Sequence, residues 1–248
     1  MNYWNHRTLV VHPSFEELSD FMLSLPQRFE QHEGVLIHDG RNKLRRLTYG
    51  GRDFVVKSFR RPIFVNRMVY GLLRPSKALR SYRNALKLEA IGVGTPQAVG
   101  YLNIRSGLLF DRSYFVTLAS ACTHRYEELL LRHFDCQTEV LKAVARTTAR
   151  LHEHHMAHLD YGRANILFEP LSDGSVKVEI VDLNRMYFGP LDMKAGCKNL
   201  ERLPASPAMH HILADEYARV RGFDPQQCYE LMRAYRSVQP GQMEGEVE

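Results

Sequence analysis

Four scattered cysteines (Cys122, Cys136, Cys197 and Cys228) are all that the chain has, and no two form a C-x-x-C pair. That argues against a disulfide frame and a cysteine zinc site, and for reduced thiols in a cytosolic protein. No apolar run approaches the roughly 18 residues needed to cross a bilayer. The stretch Met1 to Val11 lacks the basic start and apolar centre of a signal peptide. No internal repeat is present. Acidic residues are missing altogether between Asp53 and Glu89. That interval carries nine basic ones: Lys57, Arg60, Arg61, Arg67, Arg74, Lys77, Arg80, Arg83 and Lys87. The net charge is +5, so without those nine the rest of the chain stands at 5 − 9 = −4. The basicity therefore belongs to one region, 57–87. A run this one-sided is expected to meet anionic groups: phosphates, an anionic lipid surface or a phosphorylated sugar. It lacks the interleaved aromatics of a base-stacking platform, so nucleic acid is not expected.

What is present reads as a folded chain with a sizeable core. Hydrophobic residues make up 44% and charged residues 25% of the 248 residues, which fits one large domain or a two-lobed one. Thr8 to Val11 is a short strand. Ser14 with Glu17 predicts a capped helix carrying Phe15, Leu18, Phe21, Met22 and Leu25, ended by Pro26. Three strands follow, Val35 to His38, Leu44 to Tyr49 and Phe54 to Lys57, separated by Asp39-Gly40 and Gly50-Gly51. Ser76 caps a helix from Lys77 to about Ile91, with Leu79, Tyr82, Leu86 and Ala90 as its apolar stripe and Gly92 to Pro96 as its stop. A further stretch, Pro62 to Pro75, is short-helical or irregular. Ala98 to Tyr101 and Ser113 to Leu118 are strands. Helices are expected at Arg125 to His133, Glu139 to His154, Pro207 to Arg221 and Pro225 to Val238. The last is capped by Asp224. Ile166 to Phe168 and Val176 to Val181 form a hairpin across Ser172-Asp173-Gly174.

The chemistry sits in one stretch, His158-Leu159-Asp160-Tyr161-Gly162-Arg163-Ala164-Asn165, which reads H-x-D-x-x-x-x-N. A second aspartate, Asp182, follows at the end of an apolar run. These look like the catalytic loop and metal-binding aspartate of the protein-kinase superfold. Phosphoryl transfer needs a carboxylate to receive the acceptor's proton, which is the role expected of Asp160. It also needs an amide oxygen and a carboxylate to hold Mg²⁺, the roles expected of Asn165 and Asp182. Lys57, after Val55-Val56 on the third strand of the meander, is expected to reach the ATP phosphates. No G-x-G-x-x-G is present, so Gly40 and its basic neighbours would cover them instead. Leu118 to Cys122 is the expected hinge, with backbone groups that bind adenine. Arg163 is read as a phosphate contact. The helix at 77–91 has Arg83 and Asn84 at its middle where such a fold presents a glutamate. Either Glu89 pairs with Lys57 from the last turn, or Lys57 has no helical carboxylate partner. Asn184, two residues after Asp182, is expected to take a left-handed backbone. The segment 186–207 has no A-P-E and one Ser/Thr hydroxyl, Ser206, which argues against control by phosphorylation there. His152, His154, His155 and His158 are crowded, but the chain offers no matching Cys or carboxylate spacing for zinc.

In order along the chain, Arg41-Asn42, Val56-Lys57-Ser58-Phe59, Ser76-Lys77-Ala78 with Arg80-Ser81-Tyr82, Gly92 to Pro96, His158 to Tyr161 with Asn165 to Leu167, and Asp182 to Arg185 resemble the bacterial lipopolysaccharide kinase group (the Kdo/heptose kinase and InaA-like families). The resemblance implies an α+β, two-lobed protein-kinase-like fold: an N-terminal lobe of antiparallel sheet plus helix over 1–118, a mostly helical C-terminal lobe over 119–238, and a disordered acidic tail over 239–248. It implies ATP- and Mg²⁺-dependent phosphorylation of a sugar hydroxyl in the lipopolysaccharide core or a lipid-linked precursor. It also implies work at the cytoplasmic face of the inner membrane, with region 57–87 against the anionic surface. Two other readings stand beside it: a pseudokinase that keeps the fold as a scaffold, and a kinase of the same fold acting on a small molecule or protein.

Overall fold

The structure, a computed structural model, describes residues 5–59, 75–106 and 109–237. The predicted stretch Pro62 to Pro75, four of the nine basic residues (Arg60, Arg61, Arg67 and Arg74) and the tail 239–248 lie outside them. The chain divides into two compact units, Met1–Glu89 with Thr95–Ser120, and Ala90–Gly94 with Ala121–Glu248.

The first unit is built on a six-stranded antiparallel sheet. Its strands are β1 (Asn5–Val11), β2 (Val35–Asp39), β3 (Lys43–Tyr49), β4 (Arg52–Phe59), β5 (Ala98–Ser106) and β6 (Leu109–Leu118). Their spatial order is β1-β5-β6-β4-β3-β2. Helix α1 (Ser19–Glu30) covers one face. Alternation along β4 sends Phe54 and Val56 into that core, against Phe21, Met22 and Leu25 of α1. Each such buried side chain contributes about 1.5–3 kcal/mol. Lys57, one residue out of phase, therefore stands on the other face, with its ammonium over the Phe59 ring at 5.5 Å. The β3–β4 turn needs left-handed backbone at both central residues, and Gly50 (φ 56) and Gly51 (φ 74) supply it.

Two expectations for the first helix are corrected. Ser14 does not cap it: His12 Nδ1 accepts the Ser14 N–H at 3.2 Å, and Pro13–Leu18 is a 3₁₀ turn leading into α1. Pro26 does not end it either, because the helix runs to Glu30. Proline removes one helical hydrogen bond. Burial of Phe21, Met22 and Leu25 on the sheet offsets that loss.

Helix α2 (Lys77–Ala90) starts where expected, with Ser76 Oγ accepting the Leu79 N–H at 3.0 Å. Its buried stripe differs from the one expected. Ala78, Ser81, Tyr82, Ala85 and Leu88 face inward, while Leu79 and Leu86 are only half-buried and Ala90 is exposed. The buried face thus mixes small residues with Tyr82, Asn84 and Leu88, a pattern that hydropathy spacing alone does not single out.

The second unit is mostly helical. The strand pieces β7 (His124–Arg125), β8 (Met156–His158), β9 (Ile166–Pro170), β10 (Val176–Ile180) and β11 (Met186–Phe188) accompany helices α3 (Gln137–Glu153), α4 (Met193–Asn199), α5 (Pro207–Arg221) and α6 (Pro225–Ser237). The expected helix at 125–133 is instead β7 and a 3₁₀ turn, Tyr126–Leu130. Glu128 captures the Arg125 N–H at 2.8 Å and pairs with Arg132, which closes the turn early. Helix α3 buries Leu141, Val144, Ala145, Thr148 and Leu151, as its periodicity predicts. Glu216 of α5 ties the two helices together by accepting from Arg219 and Arg146, which hold its carboxyl down at about 2. Helix α4 and the β8–β11 pair have no counterpart in the sequence reading.

Gly94 belongs with this unit because its carbonyl accepts the Ile180 N–H at 2.8 Å. A Cβ there would lie 2.1 Å from the Val178 carbonyl oxygen, so only glycine permits the approach. Among the described residues, no helix is long and apolar enough to cross a membrane.

Candidate active site

The β9–β10 hairpin pairs Ile166 with Ile180 and Val176 with Pro170. Asp173 Oδ1 accepts the Ser175 N–H at 2.9 Å, and Gly174 (φ 82) completes the turn. Just beyond the ladder the Val181 N–H donates to the Asn165 carbonyl at 2.9 Å. The hairpin thus delivers Asn165 and the residue before Asp182 to one end.

The loop between β8 and β9 is fixed at both flanks. On one side the imidazole of His158, fully buried, uses both nitrogens. Nδ1 accepts the Asp160 N–H at 3.1 Å, and Nε2–H is shared between the carbonyls of Val181 and Asp182, each at 3.1 Å. Burial pushes its pKa below the usual histidine value, so the ring stays neutral with its proton on Nε2. On the other side Tyr161, also fully buried, donates to Thr148 Oγ1 at 2.7 Å, and Thr148 in turn donates to the Val144 carbonyl. Burial pushes the phenol pKa up. Asp160 lies between these anchors.

Asn165 donates its side-chain amide to the Asp160 carbonyl at 2.9 Å, which leaves its Oδ1 as the acceptor end. Asp182 has left-handed backbone (φ 62), and the His158 contact holds its carbonyl there. The left-handed residue is therefore Asp182 and not Asn184. Asn184 instead donates its amide to Asp182 Oδ1. One carboxylate and one amide oxygen are hard oxygen donors. They suit Mg²⁺, which is commonly held by one or two carboxylates plus substrate phosphates.

A second buried network supports the loop from below. His152 Nδ1 accepts from the Tyr217 hydroxyl at 2.8 Å, and its Nε2–H donates to Asn199 Oδ1 at 3.0 Å. Asn199 then donates to the His158 carbonyl at 2.9 Å. Burial pushes the His152 pKa down to about 4. This histidine braces α3, α4 and α5, and no group of three or more His, Cys, Asp or Glu among the described residues could hold a metal.

The other expected site residues fall as follows. Arg163 is half-exposed, and its Nε lies 3.8 Å from Glu127 Oε2. Lys57 and Glu89 belong to the first unit, with Glu89 exposed in the last turn of α2. Gly40 lines a cavity of about 390 Å³ with Arg41, Ser58, Arg112 and Tyr114. Phe29 and Glu30 of α1 line it as well, so the cavity adjoins the α1-covered side of the sheet. Leu118, the first residue of the expected hinge, lies at the end of β6. Its side chain packs on the α1 core, and its N–H is donated to the Gln97 carbonyl at 2.9 Å. Ala119 donates likewise to Asp53. Neither N–H is open to a base.

Two residues to which the sequence reading gave no role touch the site. Arg185 Nη1 lies 3.1 and 3.0 Å from the two oxygens of Asp160, and Arg202 Nη1 lies 3.1 Å from Oδ1. Arg185 was visible three residues after Asp182. Arg202 is 42 residues from Asp160 and carries no local signal.

The chain matches the family model described as "Lipopolysaccharide kinase (Kdo/WaaP) family" over residues 38–235. No curated protein sequence matches it. The solved structure of WaaP in complex with acyl carrier protein has a TM-score of 0.65 at 19% identity, covering 93% of this chain and 98% of that one. At that identity the likeness speaks for the fold, and the expected kinase-like α+β architecture is met.

Proposed function

The chain belongs to the lipopolysaccharide kinase (Kdo/WaaP) family, and from that premise we propose that it transfers the γ-phosphoryl group of ATP to a sugar hydroxyl, on Kdo or heptose, of the lipopolysaccharide core. That it is a kinase follows from the family. The acceptor and the residue roles are the proposal. In the transfer, the acceptor hydroxyl gives its proton to the Asp160 carboxylate while its oxygen bonds the γ-phosphorus. The bond from that phosphorus to the bridging oxygen breaks, and ADP leaves with the electron pair. Asn165 and Asp182 would hold Mg²⁺, whose charge offsets that of the phosphates. Lys57 would meet the α/β-phosphates, and Arg163 the developing charge.

The observation that carries the reading is the single imidazole of His158. It fixes the backbone of Asp160 and of Asp182 together, as a proton acceptor and a metal ligand on one substrate require. A scaffold needs no such tie. The proposal also sets region 57–87 against the anionic inner-membrane surface, which salt-dependent sedimentation with anionic vesicles would test.

The decisive test is phosphate transfer from labelled ATP to purified lipopolysaccharide core, with Asp160→Asn as control. Transfer by the unmodified chain, lost in the variant with nucleotide binding kept, is the expected result. Nucleotide binding with no transfer in either would leave the scaffold reading standing.

A further inference from the structure

The carboxylate expected to receive the acceptor's proton is already occupied. Arg185 grips both oxygens of Asp160 and Arg202 grips one of them, so two guanidinium groups attend one carboxylate. The cluster carries a surplus positive charge. The arginine side chains are 56% and 50% exposed, and that of Asp160 is 31% exposed, so solutes can reach all three. Their contacts with Asp160 are the side-chain hydrogen bonds these arginines make among the described residues, and each guanidinium has further N–H donors to offer. The backbones that aim them are fixed. Leu203, next to Arg202, is fully buried, and the Arg185 carbonyl accepts the Leu159 N–H at 2.9 Å. Three of the roughly four lone-pair sites of Asp160 are taken by guanidinium contacts, so an acceptor hydroxyl competes with the arginines for the carboxylate. A neutral acceptor offers the arginines only hydroxyl and ether oxygens, weaker acceptors than the carboxylate they would leave. An oxyanion offers an equal exchange, because carboxylate and phosphate match the guanidinium fork.

Resting on the kinase reading above, we infer that Arg185 and Arg202 are positioning residues that bind an oxyanion on the acceptor, a carboxylate or a phosphate beside the hydroxyl to be phosphorylated. Arrival of that anion draws the arginines off Asp160 and frees the carboxylate for the proton. Acceptor specificity and release of the base are then one event.

The test uses the full chain and core oligosaccharide in three forms: untreated, carboxyl-reduced and dephosphorylated. Binding is read by calorimetry, without turnover. The unmodified chain is expected to lose about tenfold in affinity for one of the two treated forms, roughly one charge-assisted hydrogen bond (~1.4 kcal/mol). Which form loses identifies the anion. Arg202→Gln should erase that difference, and Arg202→Lys should restore part of it. Asp160→Asn should bind the untreated acceptor more tightly than the unmodified chain, because the competing carboxylate is gone. Equal binding of all three forms by the unmodified chain overturns the inference, as does weaker binding by Asp160→Asn. Neither result depends on phosphate transfer, so failure of the kinase reading shows separately, in the transfer assay.

Discussion

His158 Nε2 lies 3.1 Å from the carbonyl oxygen of Asp182, and that contact holds an aspartate in left-handed backbone. The same ring takes the Asp160 N–H on its other nitrogen. One buried neutral side chain therefore sets two carboxylate-bearing residues 22 positions apart in sequence.

The positive φ of Asp182 separates two substitutions. Asn tolerates left-handed backbone and Ala resists it, so Asp182→Ala should be about 1 kcal/mol less stable than Asp182→Asn. Both should lose magnesium-dependent transfer by about a thousandfold or more. Thermal melts and turnover against Mg²⁺ concentration check this. Unchanged magnesium dependence in Asp182→Asn would remove Asp182 from the metal site.

His158→Ala would strand two carbonyls and one N–H in a buried setting. A cost of about 2–4 kcal/mol is expected, together with a fall in kcat that exceeds any rise in the KM for ATP. Denaturant unfolding and steady-state kinetics read the two effects. A stable variant with full kcat would show that the loop holds its shape without the ring.

Lys57 stands on the face of β4 away from the core. Lys57→Ala should keep the fold, since Lys57 is not part of the α1 core, while raising the KM for ATP about tenfold or more. A normal ATP KM would place nucleotide phosphates elsewhere.

The His152 pKa is lowered from 6.5 to about 4, chiefly by burial. Between those values the unfolded chain binds a proton that the folded one refuses. The stability His152 supplies is present above pH 6.5 and drains away as the pH falls through that window, by up to about 3 kcal/mol. Midpoints of urea unfolding from pH 7 to 4 would show the slope. His152→Phe should flatten it, and an identical slope in that variant would mean other groups cause it.

The periodic features were legible in the sequence because their cause is local. The 3.6-residue spacing in α3, the strand meander with its Gly50-Gly51 turn, and the cap at Ser76 each depend on neighbours a few residues away. The spacing of His158, Asp160, Asn165 and Asp182 was legible too, since the β9–β10 hairpin that joins them is a short-range structure. What required tertiary packing was invisible. Pro26 survives inside α1 because the sheet holds its flanking residues. The buried face of α2 includes Ser81 and Asn84, polar residues that the hydropathy pattern assigns to solvent. Leu118 turns its N–H and side chain inward because Gln97 and the core are there to receive them.

Sequence alone determined the α+β, kinase-like character of this chain and the spacing of its H-x-D-x-x-x-x-N loop, because loop motifs and element periodicity are written in short spacings. Only the tertiary structure decided what surrounds that loop: the imidazole that ties both aspartates, the Asn199 link from below and the two arginines on Asp160. Those contacts join residues up to 42 positions apart. No local pattern encodes such pairs, since they exist only once the helices and hairpin have packed.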